Sequence, residues 1–148
     1  VRLMNAYFVK CTGCVKDENG NIIEVHGTYD PETKGGNSND GRKVKGTIHF
    51  VEATQAVKAE VRLYENIIDE EKGVYNEDGS LNLNPESIKV LKECYLEPEF
   101  AGAKAYDRFQ FVRQGFFCVD AKDSTEDALV FNRIVSLKSS FVLPKKEE

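Results

Sequence analysis

The sequence predicts an all-β protein from three observations. Apolar and polar residues alternate with a period of two in most segments, whereas the 3.6-residue period of an amphipathic helix does not recur. Turn residues separate about eight such short segments, which is typical of closed or nearly closed barrels, since closure removes exposed edges. The 148 residues suit one ordinary domain or two small barrels that share a core.

The alternation that starts at Val1 predicts a first strand with one buried face and one solvent-exposed face. Its apolar side consists mainly of odd-numbered residues, which are Leu3, Tyr7, Val9, Cys11 and Val15. The Asn19-Gly20 pair tolerates positive φ in a tight reversal, so this strand is expected to fold back onto residues 22–29 as a hairpin. The polar segment 30–40 is then predicted to be a long mobile loop.

Alternation continues through the rest of the chain. Residues 43–51 form a predicted strand with its cations on one exposed side, and Val57–Tyr64 alternates as plainly, with Val57, Ala59, Val61 and Leu63 inward. A single helical turn is expected over residues 98–103, and Arg113-Gln-Gly115 indicates a second hairpin. Further strands are predicted at residues 88–95, 108–112, 116–120 and 129–137.

The charge balance argues against a protein that coats nucleic acid, because 20 basic and 25 acidic residues give a net charge of −5. Two segments are nevertheless locally basic, and the simplest interpretation is charge scattered for solubility. Residues 1–16 contain three cations and no acid, and residues 41–46 contain Arg42, Lys43 and Lys45. Apolar runs are too short for a bilayer and no signal peptide is recognisable, so we expect a cytoplasmic protein without a membrane partner.

Cys11 and Cys14 form the most conspicuous chemical motif, since two thiolates at this spacing bind zinc when a second pair completes the site. No second pair follows, and strand parity places the two cysteines on opposite faces. Ordinary thiols are therefore expected, with a zinc enzyme or a redox pair as alternatives. Serine-nucleophile elbows and phosphate-binding glycine patterns are absent from the sequence, so we expect no catalytic residues in it.

Binding is the function that the remaining residues favour. Arg108 and Gln110 share a predicted exposed face between the inward Phe109 and Phe111, and Arg2 and Met4 share a face of the first strand. Planar arginine and glutamine groups pair with the edges of unstacked bases as well as with phosphates. A β-barrel that binds proteins is the alternative from another class, supported by the acidic net charge.

Six ordered blocks resemble the C-terminal anticodon-binding region of bacterial glutaminyl-tRNA synthetase and extend over nearly the whole chain. The related glutamyl enzymes of eukaryotes and archaea carry a similar barrel pair and are the nearest alternative. The blocks are Val1-Arg-Leu-Met-Asn-Ala-Tyr7, Asp40-Gly-Arg-Lys-Val-Lys-Gly-Thr-Ile-His-Phe-Val51, Val61-Arg-Leu-Tyr64, Asn84-Pro-Glu-Ser87, Phe109-Gln-Phe-Val-Arg-Gln-Gly-Phe-Phe-Cys-Val-Asp120 and Val130-Phe-Asn-Arg133.

This resemblance implies two closely joined β-barrels of the ribosomal-protein-L25-like type that bind the anticodon loop of tRNA-Gln. Residues 1–70 are expected to form the distal barrel, and residues 71–148 the remaining part of an incomplete proximal barrel. The missing opening strands, and a catalytic domain that uses ATP and magnesium, are expected to precede Val1. No cofactor or metal is expected within these 148 residues.

The resemblance also assigns roles to single residues. Gln110 stands where the family glutamine bonds to the middle anticodon base, a uridine, and Arg2 matches an arginine beside the first-base pocket. Met4 stands where a better-studied relative has a second arginine, which implies a different contact to the first base. Arg113 matches a basic residue near the anticodon, although strand parity places it opposite Gln110 unless the turn rotates it. We further expect Arg42, Lys43 and Lys45 to contact phosphates, as a hypothesis beyond the resemblance.

Overall fold

The computed structural model describes residues 1–69 and 71–137, which are built from strands and two short 3-10 helices. The all-β prediction is therefore confirmed. The chain divides into two compact units, Val1–Val51 and Glu52–Glu148. The sequence-based division lay instead between residues 70 and 71, so the two divisions differ in where they assign the strand that contains Ala59 and Val61.

Unit 1 contains a four-stranded sheet. Its strands are β1 (Arg2–Leu3), β2 (Phe8–Lys16), β3 (Ile22–Asp30) and β4 (Thr47–Ile48), in the order β3-β2-β1-β4. Strands β1 and β4 are parallel, and the other pairs are antiparallel. The predicted hairpin is confirmed: Gly20 has a φ of 83°, and the Asp17 carboxylate accepts hydrogen bonds from the backbone amides of Asn19 and Asn21.

Three expectations for unit 1 need correction. The first strand is interrupted at Asn5, which has a φ of 58°, and the buried residue after this turn is the even-numbered Phe8, not its odd-numbered neighbours. Beyond Phe8, strand β2 pairs with β3 as an exposed ribbon, so Cys11 and Val15 are exposed. The strand predicted over residues 43–51 is reduced to the two residues of β4, which pair with the equally short β1.

The segment predicted to be a long mobile loop is partly buried against residues outside it, and the Phe8 amide donates a hydrogen bond to its Thr33 hydroxyl. It contains the 3-10 helix Pro31–Thr33, and both Thr33 and Gly36 are buried. The loop therefore belongs to the small core of unit 1 rather than lying wholly in solvent.

Unit 2 contains a five-stranded sheet. The strands are β5 (Val57–Tyr64), β6 (Ile88–Leu96), β7 (Arg108–Phe111), β8 (Gly115–Val119) and β9 (Leu129–Ser136), in the order β6-β5-β9-β8-β7. Strands β5 and β9 are parallel, and the remaining neighbours are antiparallel. A 3-10 helix covers Pro98–Gly102. These strands and the helical turn lie where the sequence predicted them, to within a residue or so at each end.

One face of this sheet forms the core of unit 2. The predicted inward positions of β5 are confirmed, and Phe131 on β9 is fully buried against Phe100, Phe109 and Phe111. The buried residues are Ala59, Val61, Leu96, Phe117, Val119, Leu129 and Phe131. Neither sheet closes into a barrel within residues 1–69 and 71–137. In the same residues, no helix has the length and apolar character needed to cross a bilayer.

Candidate nucleic-acid interface

Strand β7 presents its polar side chains outward. Arg108 and Gln110 are exposed, whereas Phe109 and Phe111 are half-buried against the core. This alternation follows from the period of two in a strand with one face on a hydrophobic core. The structure thus places Arg108 and Gln110 on one open face, as the sequence analysis expected.

The outer face continues across β8 and β9 in two rows. Gln110 lies opposite Phe116, which in turn lies opposite Val135, and both of these apolar side chains are exposed, at 42% and 51%. In the second row, Arg108 lies opposite Cys118, which lies opposite Asn132. The candidate surface therefore combines an arginine and an amide with a shelf of apolar side chains, which the sequence analysis did not anticipate.

Arg113 lies in the turn between β7 and β8 and has left-handed backbone geometry, with a φ of 66°. The amide of Gln114 donates a 2.9 Å hydrogen bond to the carbonyl of Phe111, which closes this turn. Strand parity does not extend through a turn, so the argument that placed Arg113 opposite Gln110 no longer applies. This left-handed conformation costs a residue with a Cβ atom about 1–2 kcal/mol, whereas glycine adopts it without strain. Arg113 therefore occupies a position that favours glycine.

An ionic network fixes the neighbouring part of the outer face. Arg62 Nε donates a 2.7 Å hydrogen bond to Glu60, and Nη1 donates a 2.6 Å bond to Asp123. These two carboxylates, Asp123 foremost, raise the pKa of Arg62. Asp120 accepts bonds from the Asp123 amide and the Asn132 side chain, and these bonds lower the pKa of Asp120. The network joins β5, β9 and the β8–β9 loop beside the row that contains Arg108.

In unit 1, two arginines cover one aromatic ring. The guanidinium carbons of Arg2 and Arg42 lie 5.3 and 5.8 Å from the centre of the Phe8 ring, on which cations are favourably placed. The Nε atom of Arg2 is buried, and no hydrogen-bond partner for it is found among the described residues. An unpaired buried donor is costly, so the binding of an acceptor to it is favourable.

Arg42 is held in place by two carboxylates. It forms ion pairs with Asp30 and Asp40, and the hydrogen bond with Asp30 is the main cause of its raised pKa. Lys43 and Lys45, on the same segment, are exposed. Met4 is half-buried next to β1, where its amide donates a 2.9 Å hydrogen bond to the carbonyl of Ile48.

Asp30 and Arg42 border a concavity of about 520 Å³ in unit 1. Its walls include Phe8, Lys10, Tyr29, Asp30, Arg42 and Val44. Sequence alternation assigned Phe8 to the solvent-exposed face of the first strand, so the aromatic floor of this site was missed. The volume lies within the range of sites for small ligands, and the walls combine apolar surface with cations.

The cysteine pair behaves differently from the parity prediction. A bulge between Cys11 and Gly13 leaves Cys11 opposite Gly27 and Cys14 opposite Val25, so the two cysteines lie on the same face of the ribbon. Both thiols are free and exposed. Across residues 1–69 and 71–137, no group of three or more His, Cys, Asp or Glu side chains is placed to hold a metal ion.

Comparison with known families defines the class of this chain. The family model for the anti-codon binding domain of class I tRNA synthetases (E and Q) matches residues 47–120, which is half of the chain. The matched segment contains strands β4 to β8, and therefore Gln110. The chain therefore belongs to the anticodon-binding domain family of the class I glutamyl- and glutaminyl-tRNA synthetases.

Three curated relatives of high similarity are glutaminyl enzymes rather than glutamyl enzymes. A glutamine–tRNA ligase of Clostridium kluyveri is 50% identical over 99% of this chain, and that of Clostridioides difficile is 52% identical over 95%. The glutamine–tRNA ligase of Stutzerimonas stutzeri is 46% identical over 95% of the chain. The aligned parts are 27%, 26% and 26% of those proteins, so the chain spans about a quarter of the length of the relatives it matches.

Proposed function

We propose that this chain is the anticodon-recognition part of a glutaminyl-tRNA synthetase and binds the anticodon loop of tRNA-Gln. The observation that carries the proposal is the 50% identity to glutamine–tRNA ligase over nearly the whole chain, together with the anticodon-binding family model. The family model covers both glutamyl and glutaminyl enzymes, and the naming of the relatives favours glutamine over glutamate.

Gln110 is the residue that we propose to recognise the middle base. Its side chain is exposed on the outer face of β7, and its amide carries a carbonyl acceptor and an NH2 group that donates. The edge of an unstacked uridine offers an N–H and a carbonyl, which match this amide. Arg113 and Arg108 lie on the neighbouring turn and the same strand, where their guanidinium groups can bond to carbonyl or phosphate oxygens.

The concavity of unit 1, together with Arg2 over the Phe8 ring that lines it, is the proposed site of first-base recognition. The buried Nε of Arg2 lacks an acceptor among the described residues, and Arg42 is fixed beside the same ring by its ion pairs. The Met4 side chain has no hydrogen-bond donor, so Arg2 is the principal polar contact in this account. Lys43 and Lys45 are exposed and are proposed to contact phosphates.

The complete reaction is proposed to require the rest of a longer polypeptide. The relatives are about four times as long as this chain. We place the attachment of glutamine, with its ATP and magnesium, in a catalytic domain of that polypeptide, in the cytoplasm. In this scheme the 148 residues supply selection of the tRNA and no step of bond formation.

Binding of the 148-residue chain to transcripts of tRNA-Gln tests the proposal. We expect tRNA-Gln to bind more tightly than a tRNA with an unrelated anticodon, and the logarithm of the affinity to fall linearly with that of the salt concentration. Lys43→Ala and Lys45→Ala should each reduce the salt slope by up to about 1 without changing the preference between tRNAs. Lys92→Ala, on an exposed position of β6, is the matched control. Equal binding of both tRNAs by the wild-type chain would contradict the proposal.

A further inference from the structure

Gln110 has an aromatic neighbour in the adjacent strand. It is the register partner of Phe116 in the antiparallel β7–β8 pair. Side chains directly opposite each other in such a pair have Cβ atoms about 4.5–5.5 Å apart on one face of the sheet. The ring and the amide therefore stand side by side on the outer face.

Phe116 contributes little to the core of unit 2. The next residue, Phe117, is 2% exposed and stacks on Phe111 within the core, whereas Phe116 is 42% exposed. The β8–β9 register shifts between these two residues, which lets Val135 continue the apolar shelf beside Phe116. Phe116 and Val135 thus form the apolar shelf, and Phe116 is its member next to Gln110.

An amide on an open surface discriminates only weakly between bases by itself. Its hydrogen bonds to a base replace bonds to water, so their net contribution to affinity is small. An adjacent aromatic ring changes this balance, because a base stacked on the ring excludes water from the amide and adds contact of its own. The positions of Gln110 and Phe116 provide both parts.

We propose that Phe116 is the stacking surface for the same unstacked base that Gln110 recognises by its edge. This inference rests on the proposed function and adds a residue to it. Stacking tolerates any base, since each has a π face, whereas the amide distinguishes the hydrogen-bonding edge. Phe116 therefore supplies affinity at the middle anticodon position, and Gln110 supplies the choice of base.

The test uses the 148-residue chain and an anticodon stem–loop RNA with uridine in the middle position, made with and without that base. Phe116→Ala should weaken binding to the intact RNA by about 5- to 150-fold. Its preference for uridine over cytidine should become smaller, because water regains access to the Gln110 amide, and the affinity for the RNA that lacks the base should be unchanged. Phe116→Tyr keeps a ring and should restore the affinity. Tyr75→Ala removes another exposed ring, 66% exposed in the β5–β6 connection, and should have no effect.

Each outcome decides between clear alternatives. Equal binding of intact RNA by the wild type and Phe116→Ala would overturn the stacking role alone, as would an equal loss of affinity for both RNAs. A wild-type chain that binds neither RNA would contradict the proposed function itself, and the role of Phe116 with it. If the wild type self-associated and Phe116→Ala did not, with RNA binding intact, the apolar shelf would instead be a contact between copies of the chain.

Discussion

The backbone amide of Phe8 donates a 2.8 Å hydrogen bond to the side-chain hydroxyl of Thr33, which is 1% exposed. The same hydroxyl donates a 2.7 Å bond to the carbonyl of Asp30. One buried group thus joins the start of β2 to the loop after β3. This contact anchors the backbone of the residue whose ring Arg2 and Arg42 cover.

Replacement of Thr33 should therefore destabilise unit 1. Thr33→Val keeps the shape of the side chain but leaves the buried Phe8 amide and the Asp30 carbonyl without this partner, which should cost about 2 kcal/mol or more. Thr33→Ser keeps the hydroxyl and loses only a methyl group, which should cost about 1 kcal/mol. Denaturant unfolding measures both values, and equal costs for the two variants would show that the hydroxyl is not what matters.

The geometry of Arg113 predicts a difference between two variants that both lack its guanidinium group. Arg113→Gly should be more stable than Arg113→Ala by about 1 kcal/mol, because glycine adopts the φ of 66° without Cβ strain. Both variants should bind tRNA-Gln more weakly than the wild type and to the same extent. Unfolding and binding measurements on the same samples test this. An alanine variant as stable as the glycine variant would mean that the turn carries no strain.

Asp120 predicts a dependence of stability on pH. Hydrogen bonds from the Asp123 amide and the Asn132 side chain lower the pKa of Asp120 in the folded chain. Its contribution is therefore present above the ordinary aspartate pKa of about 3.9 and is lost as the pH falls through the lower folded value. Asp120→Asn should be less stable than the wild type at neutral pH.

The free energy of unfolding of Asp120→Asn should also fall less steeply than that of the wild type below about pH 4. Asp127→Asn, at an exposed position of the same loop, is the control. Unfolding curves collected from pH 7 to the acid limit give the comparison. If the wild type and Asp120→Asn lost stability in parallel, the hydrogen bonds to Asp120 would not be the source of the pH dependence.

The sequence predicted unit 2 better than unit 1 for a physical reason. Strand β5 packs its alternate residues on a core, so Ala59 and Val61 follow the expected pattern. In unit 1, the φ of Asn5 and the bulge after Cys11 shift the alternation, and β2 leaves the core after Phe8. A single sequence contains no clear signal for such a shift, because isolated alternation looks the same in a buried and an exposed ribbon.

The candidate site was predicted in part. The exposure of Arg108 and Gln110 followed from the apolar residues between them, whereas their roles come from the resemblance and remain predictions. Phe116 was missed because its exposure depends on pairing with β7 and on the bulge beside Phe117, which are properties of the folded sheet. The arginine pair over Phe8 joins segments about 40 residues apart and has no local pattern.

The most direct test of this account is the base preference of Gln110. The 148-residue chain is titrated with stem–loop RNAs that differ only in the middle anticodon base, as the wild type and as Gln110→Ala. The account predicts that the wild type prefers uridine by about 1–3 kcal/mol and that Gln110→Ala loses this preference while keeping salt-dependent binding. A preference for uridine that survives in a folded Gln110→Ala variant would contradict it.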